Sequence, residues 1–127
     1  MWRYEQATGR LLNDHNEVIA FGYSGHDAGK NNPAEQSITD SGPIPCGLYK
    51  IEPPHDSQSH GPFVMALTPD STNQMFGRSG FLMHGDGVKD PGAASLGCVI
   101  MPHSVREEVW NSNDHDLEVV SGLTDTD

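Results

Sequence analysis

A cysteine and a histidine that each lie beside glycine are the residues of this sequence best suited to chemistry. His84 ends the apolar run 81–83 and precedes Gly85, while Cys98, fourteen positions after His84, follows Gly97. A thiol becomes a strong nucleophile when it loses its proton, and an imidazole accepts a proton near neutral pH. The pair predicts acyl transfer through a cysteine acyl-enzyme, with Cys98 as nucleophile and His84 as general base. A buried, unreactive cysteine near a hydrogen-bonded histidine is the structural alternative.

The residues around this pair suit the same chemistry. Gly97 leaves room for a substrate to approach the sulfur and adopts backbone angles that other residues resist. We expect the backbone N–H groups of Gly97 and Cys98 to stabilise the oxyanion that forms during acyl transfer. A third group is expected to orient the imidazole of His84. Its candidates, of which the first two are favoured, are a backbone carbonyl near Gly85 and the side chains of Ser95 and Asp86.

Four further residues are candidates for contact with a substrate. Arg78 is one of only seven basic residues and precedes the run that ends in His84, so we expect it to bind a carboxylate. A surface ion pair in an acidic protein is the alternative for Arg78. Tyr23 is expected to line the cleft, with packing in the core as the alternative. Gly85 and Asp86 follow His84 directly and complete this set.

Short strand-like runs separated by glycine- and proline-containing turns must position these residues. Residues 2–5 and 10–13 flank the turn 7–9 and predict a hairpin. Further strands are predicted over residues 18–23, 48–51, 63–68, 80–85, 98–101 and 117–120. The pattern indicates one mainly β domain, built as a β-sandwich or a partly closed barrel with one short helix.

Two segments depart from the strand pattern. Residues 24–41 are polar and rich in turn-forming residues, which predicts a long functional loop with one helical turn near residues 33–36. Residues 104–110 predict the single helix, with Ser104 as N-cap and Glu107 completing a capping box. Val105 and Val109 are four positions apart and should share its buried face.

Composition excludes several classes of function. The chain has 127 residues, 18 acidic against seven basic ones, and a formal charge of −11. This balance argues against a nucleic-acid partner and against binding to an anionic membrane surface. No apolar run approaches the length of a membrane span, and residues 1–5 do not resemble the start of a signal peptide. We therefore expect synthesis in the cytoplasm without such a signal.

Cysteine and histidine usage indicates no cofactor. The two cysteines, Cys46 and Cys98, are too few for a cysteine-rich zinc site, and the seven histidines lack metal-ligand spacing. We expect no metal, and we assign Cys46 a structural role. A disulfide between the two cysteines stays open at this point.

The order of these motifs resembles the L,D-transpeptidases of the YkuD type. Those enzymes carry His-Gly, a spacer of somewhat over a dozen residues, and Ser/Thr-His-Gly-Cys. The wider chain is more similar to a branch of that superfamily, the L,D-transpeptidase-like toxins of bacterial type VI secretion systems, which act on peptidoglycan. That similarity covers roughly residues 1–121. The segments that carry it are residues 8–11, 23–25, 31–33, 42–51, 77–86 and 95–98.

One departure from the transpeptidase motif affects the expected reaction. Leu96 stands where the housekeeping enzymes have a second histidine, and Ile100 stands where many have an arginine. His84 is therefore the base that the motif leaves, and ordinary cross-linking activity is in doubt. The resemblance to the toxin branch implies trimming of tetrapeptide stems and exchange of the terminal D-alanine for another D-amino acid. In that reaction Cys98 attacks the amide between the third stem residue, meso-diaminopimelate, and D-alanine.

The resemblance also implies a setting. It predicts a catalytic domain over residues 1–122, a flexible tail over 123–127, a monomer, and activity in the periplasm of a target cell. The implied partners are the peptidoglycan stem peptide, a cognate immunity protein and a component of the secretion apparatus. The alternatives are a phage endolysin of the same fold and a non-catalytic module that binds cell-wall peptide.

Overall fold

Ten strands and one helix form the structure, a computed structural model that describes residues 1–123. Residues 124–127 of the predicted tail lie outside the described residues. The helix, α1, spans His103–Asn111. The strands are β1 Trp2–Glu5, β2 Arg10–Leu12, β3 Val18–Phe21, β4 Tyr23–Ser24, β5 Gly47–Ile51, β6 His55–Ser57, β7 Gly61–Pro69, β8 Leu82–His84, β9 Val99–Ile100 and β10 Asp116–Val120.

The strands form one mixed sheet that does not close into a barrel. Their order is β3-β2-β1-β10-β5-β7-β8-β9-β4, and β6 pairs with β7 beside this path. The pairs β1–β10 and β8–β9 are parallel, whereas the other pairs are antiparallel. The first and last strands of the path, β3 and β4, are separated in the chain by Gly22 alone, so the sheet curls back towards itself. The mainly β, single-domain prediction with one helix is confirmed.

Alternation of apolar and polar residues explains the central strands. In β1, Trp2 and Tyr4 are buried, and in the neighbouring β10 Leu117 and Val119 are buried as well. The register pairs Trp2 with Leu117 and Tyr4 with Val119, so these side chains stack on one face of the sheet. Apolar side chains of β5, β7, β8 and α1 complete the same core. This core fixes the strands that carry the candidate site.

Two details of the strand prediction are wrong. The predicted strand over residues 18–23 is split at Gly22, since β3 pairs with β2 and β4 pairs with β9. Strand β6 lies between the predicted strands 48–51 and 63–68, where no strand is predicted from the sequence. It has exposed side chains and is held by backbone hydrogen bonds to β7, which leave no hydrophobic pattern in the sequence.

The helix starts one residue earlier than predicted and without the capping box. Pro102 is its N-cap, and no side chain caps it, because proline has no side-chain acceptor and Ser104, the predicted N-cap, lies inside the helix. Val109 is fully buried and Val105 packs against the core, as the four-residue spacing predicts. The long loop contains short 3-10 turns at Asp27–Gly29 and Pro33–Glu35, and the second is the predicted helical turn.

Candidate active site

Two parallel strands bring the candidate nucleophile and base together. His84 ends β8, and Cys98 directly precedes β9, whose Val99 pairs with Met83. The N–H of Leu82 points at the Cys98 sulfur, with 3.3 Å between nitrogen and sulfur. Paired residues in a sheet share a face, so the thiol follows Leu82 and His84 onto one side. Cys98 and His84 line one cavity of about 390 Å³.

The imidazole of His84 is held in one tautomer by the backbone. Its Nδ1 lies 2.8 Å from the carbonyl oxygen of Gly85, to which it donates, so Nε2 is left to accept a proton. Of the three groups expected to orient the imidazole, the structure places the backbone carbonyl of Gly85 against it. Burial is the main cause that lowers the pKa of His84, and His60 and Arg106 lower it further while the Gly85 carbonyl opposes them. The imidazole is neutral at pH 7 and can act as a base.

The thiol of Cys98 is protonated in the resting structure. Burial raises its pKa, while the Leu82 N–H and the positive charge of Arg78 act in the opposite direction without overcoming burial. A neutral thiol therefore faces the cavity together with a neutral imidazole. Such a pair reacts by proton transfer to His84 as the sulfur attacks, rather than through a preformed thiolate.

Ser95 organises the backbone before the nucleophile instead of contacting His84. Its fully buried hydroxyl donates to the Cys98 carbonyl at 2.6 Å and accepts from the N–H groups of Gly97, at 3.0 Å, and Gly25, at 2.9 Å. One donor and two acceptor positions are all that a hydroxyl has. The Gly97 N–H is thus engaged, whereas the Cys98 N–H has no acceptor among residues 1–123. Of the two N–H groups expected to stabilise an oxyanion, only that of Cys98 is left without an acceptor in this part of the chain.

Gly97 and Arg78 pack against each other beneath the nucleophile. Gly97 has a φ of 138°, and a Cβ there would lie 2.5 Å from Nη2 of Arg78, so only glycine fits. Arg78 is buried, and its terminal nitrogens donate to four backbone carbonyls. Those carbonyls belong to Gln36, Gly42, Pro43 and Leu96. These bonds use every N–H of the two terminal nitrogens and leave only Nε–H for a carboxylate.

Tyr23 and Asp86 hold the loop that connects His84 to Cys98. The Tyr23 hydroxyl donates to Asp86 at 2.6 Å and accepts from the Ala94 N–H at 2.9 Å. Burial, helped by Asp86, raises the pKa of Tyr23 to about 12. Asp86 also accepts from the N–H groups of Gly87 and Gly92. Although burial acts to raise the pKa of Asp86, these hydrogen bonds outweigh it and lower that pKa.

A second, larger cavity adjoins the first at His84. Its volume is about 880 Å³, and both cavities are lined by His60, His84 and Ala94. Tyr23, Gly85 and Asp86 line the larger cavity, whereas Cys98, Gly97 and Arg78 line the smaller one. The cleft therefore has two arms, with the candidate base where they meet.

His60 is a site residue that the sequence does not reveal. Its ring centroid lies 4.6 Å from that of His84, with 48° between the ring planes. It sits in the turn between β6 and β7, inside a polar segment with no motif of its own. Only the pairing of these two strands carries it to the cleft.

Residues 1–123 contain neither a disulfide nor a cluster of metal-ligating side chains. That part of the chain contains no group of three or more histidine, cysteine, aspartate or glutamate side chains arranged to hold a metal ion. Cys46 and Cys98 are both free thiols, so no disulfide joins them. In the same described region, no helix is long and apolar enough to cross a membrane.

Comparison with protein families identifies the group to which this site belongs. The family model of the Tlde1 domain matches residues 19–123, which include every candidate site residue. The chain belongs to the Tlde1 domain family. This L,D-transpeptidase-like family consists of enzymatic type VI secretion effectors that target peptidoglycan, which indicates action in the periplasm of a target cell and a cognate immunity protein. No curated protein and no solved structure matches the chain significantly.

Proposed function

We propose that this Tlde1 domain is a cysteine-dependent L,D-carboxypeptidase that removes the terminal D-alanine from tetrapeptide stems and exchanges it for other D-amino acids. The observation that carries the proposal is the shared cavity of Cys98 and His84, with Nδ1 of the imidazole held by the Gly85 carbonyl. That arrangement leaves Nε2 able to take the thiol proton and to return it to a leaving amine.

The proposed reaction has two halves. Cys98 attacks the carbonyl carbon of the third stem residue while its proton passes to Nε2 of His84, and the Cys98 N–H donates to the oxyanion. Collapse breaks the carbon–nitrogen bond, and His84 protonates the departing amine of D-alanine. Water, or the amine of a free D-amino acid, then attacks the thioester and gives a proton to His84. The sulfur leaves, regains a proton from His84, and the free enzyme is restored.

Mass analysis of muropeptides tests this function. The wild-type protein should convert tetrapeptide stems to tripeptides with release of D-alanine, and Cys98→Ala should release none, because no acyl-enzyme can form. Cys46→Ala is the matched control and should keep the activity, since Cys46 lines neither arm of the cleft and its thiol donates to Gln6. Unchanged tetrapeptides with wild-type protein, or full activity of Cys98→Ala, would refute the proposal. The first result, combined with tight peptide binding, would favour the non-catalytic module.

A further inference from the structure

Arg106, in the first turns of α1, is a second buried arginine at the cleft. Its side chain is 3% exposed and lines the larger arm. It donates from Nε to the Phe63 carbonyl, from Nη1 to the Met101 carbonyl and from Nη2 to the Pro62 carbonyl. A guanidinium has five N–H groups, so one N–H on each terminal nitrogen has no acceptor among residues 1–123. Arg78 differs, because both of its terminal nitrogens are fully used.

The charge of Arg106 has no carboxylate partner in the described part of the chain. No aspartate or glutamate oxygen among residues 1–123 lies within 4 Å of its guanidinium, although the protein carries 18 acidic residues. The adjacent Glu107 is exposed and lies near His103 instead. Buried charges in proteins are usually paired. An anion that is brought by a ligand would complete this site.

The start of α1 adds to the positive potential at the same place. His103 lines the larger arm, and the N–H groups of His103 and Ser104 have no acceptor among residues 1–123. Unpaired N–H groups at a helix N-terminus favour a negative charge. The helix end therefore supports the anion preference that Arg106 establishes.

Gly85 places the guanidinium next to the candidate base. A Cβ at Gly85 would lie 2.9 Å from Nη1 and 3.4 Å from Nη2 of Arg106, so the terminal edge of the guanidinium rests against the backbone just after His84. Any larger residue at position 85 would displace it. The free N–H groups of Arg106 thus belong to the arm that begins at His84.

We propose that Arg106 binds the α-carboxylate of the leaving D-amino acid, which is the free C-terminus of the stem peptide. This inference rests on the proposed function, in which His84 protonates the leaving amine. In an amino acid the carboxyl carbon is two bonds from the amine nitrogen, so the carboxylate must lie close to His84. The acyl part of the peptide occupies the smaller arm beside Cys98. An incoming D-amino acid would use the same carboxylate site and present its amine to His84.

Binding to the inactive Cys98→Ala protein tests the inference without requiring catalysis. Calorimetry should compare a tetrapeptide stem that ends in a free carboxylate with the same peptide ending in a carboxamide. We expect the amide to bind at least about ten-fold more weakly, because it loses charge-assisted hydrogen bonds. Equal affinities, or no binding of the acid, would overturn the inference.

Variants in the Cys98→Ala background assign the preference to Arg106. Arg106→Gln should bring the acid-to-amide affinity ratio close to one, and Arg106→Lys should keep part of the preference. Arg3→Gln removes the same charge from the surface of β1 and should leave the ratio unchanged. A ratio that survives in folded Arg106→Gln would contradict the assignment. If Arg106→Gln does not fold, the acid–amide comparison with Arg106 intact, together with Arg106→Lys, decides the question.

Turnover by the wild-type protein separates this inference from the proposed function. Equal rates of cleavage of the acid and amide peptides would refute carboxylate anchoring and leave the carboxypeptidase chemistry intact. A strong binding preference for the acid without release of D-alanine would refute the chemistry and leave the carboxylate site intact.

Discussion

At the scale of single residues, the proposed chemistry depends on two groups, His84 and Cys98, that burial keeps neutral. The pKa of His84 is lowered chiefly by burial and further by the nearby positive groups, and the pKa of Cys98 is raised by burial. A neutral imidazole has a free lone pair that can accept the thiol proton, whereas an imidazolium has none. The acid limb of the activity profile should therefore report the protonation of His84, below the usual histidine pKa near 6.5.

Removal of His60 should shift that limb. Charge repulsion from His60 lowers the pKa of His84, so His60→Asn should raise that pKa and move the acid limb of kcat/KM to higher pH. The pH dependence of D-alanine release measures this shift. His15→Asn, a change at an exposed histidine that lies next to Asp14, is the matched control and should leave the profile unchanged. A profile of His60→Asn that coincides with wild type, or moves to lower pH, would contradict the coupling.

At the scale of elements, β10 joins the N-terminal strands β1–β3 to the strands that carry the candidate site. It pairs in parallel with β1 and antiparallel with β5, which links the N-terminal hairpin to the strands that lead to the cleft. Leu117, at its centre, is fully buried between these neighbours. The stability of the sheet depends on this strand, although none of its residues lines either arm of the cleft.

Shortening the side chain of Leu117 should destabilise the fold substantially. Leu117→Ala removes buried methyl groups and leaves a cavity, so we expect the free energy of unfolding to fall by about 2–5 kcal/mol. Urea denaturation measures the change. Leu48→Ala, a substitution on the adjacent β5 at a side chain that is 41% exposed, is the matched control and should have a much smaller effect. Equal losses in the two variants would show that the β1–β10–β5 core is not where stability resides.

At the scale of the whole molecule, the negative net charge of the protein contrasts with the positive charges that line the cleft. The protein carries a formal charge of −11, whereas the two arms of the cleft are each lined by a buried arginine, Arg78 or Arg106. An anionic stem peptide, the proposed substrate, should therefore be repelled at long range and attracted only at contact. Salt screens the first interaction strongly and the second, which is buried, much less.

Turnover of an anionic stem peptide should therefore increase with ionic strength. Between about 0.01 M and 0.1 M salt the screening length falls from about 30 Å to about 10 Å, and kcat/KM should rise as the repulsion is lost. Steady-state rates of D-alanine release at these two salt concentrations measure the effect. The C-terminal amide of the same peptide carries less negative charge and should show a smaller rise. A fall in kcat/KM with salt would mean that attraction already dominates at long range.

Local patterns in the sequence were sufficient for a large part of the fold and for the choice of a candidate reactive pair. Strands such as β1 and β10 alternate buried residues with less buried ones, and the matching alternation of apolar and polar residues is visible in the sequence. Cys98 and His84 could be identified because glycines and apolar runs mark them locally. Strand β6 and the split at Gly22 could not, since exposed edge strands need no hydrophobic pattern and pairing partners are distant in sequence.

The amino-acid sequence alone determined the candidate reacting groups, the net negative charge and the mainly β architecture, because each depends on composition or short-range order. Only the tertiary structure decided what surrounds these groups. It placed His60 against His84 and bound both terminal nitrogens of Arg78 to backbone carbonyls. It left Arg106, beside Gly85, with N–H groups that have no acceptor among residues 1–123. Hydrogen-bond saturation and burial depend on residues that are far apart in the chain, so no local pattern could distinguish the two arginines.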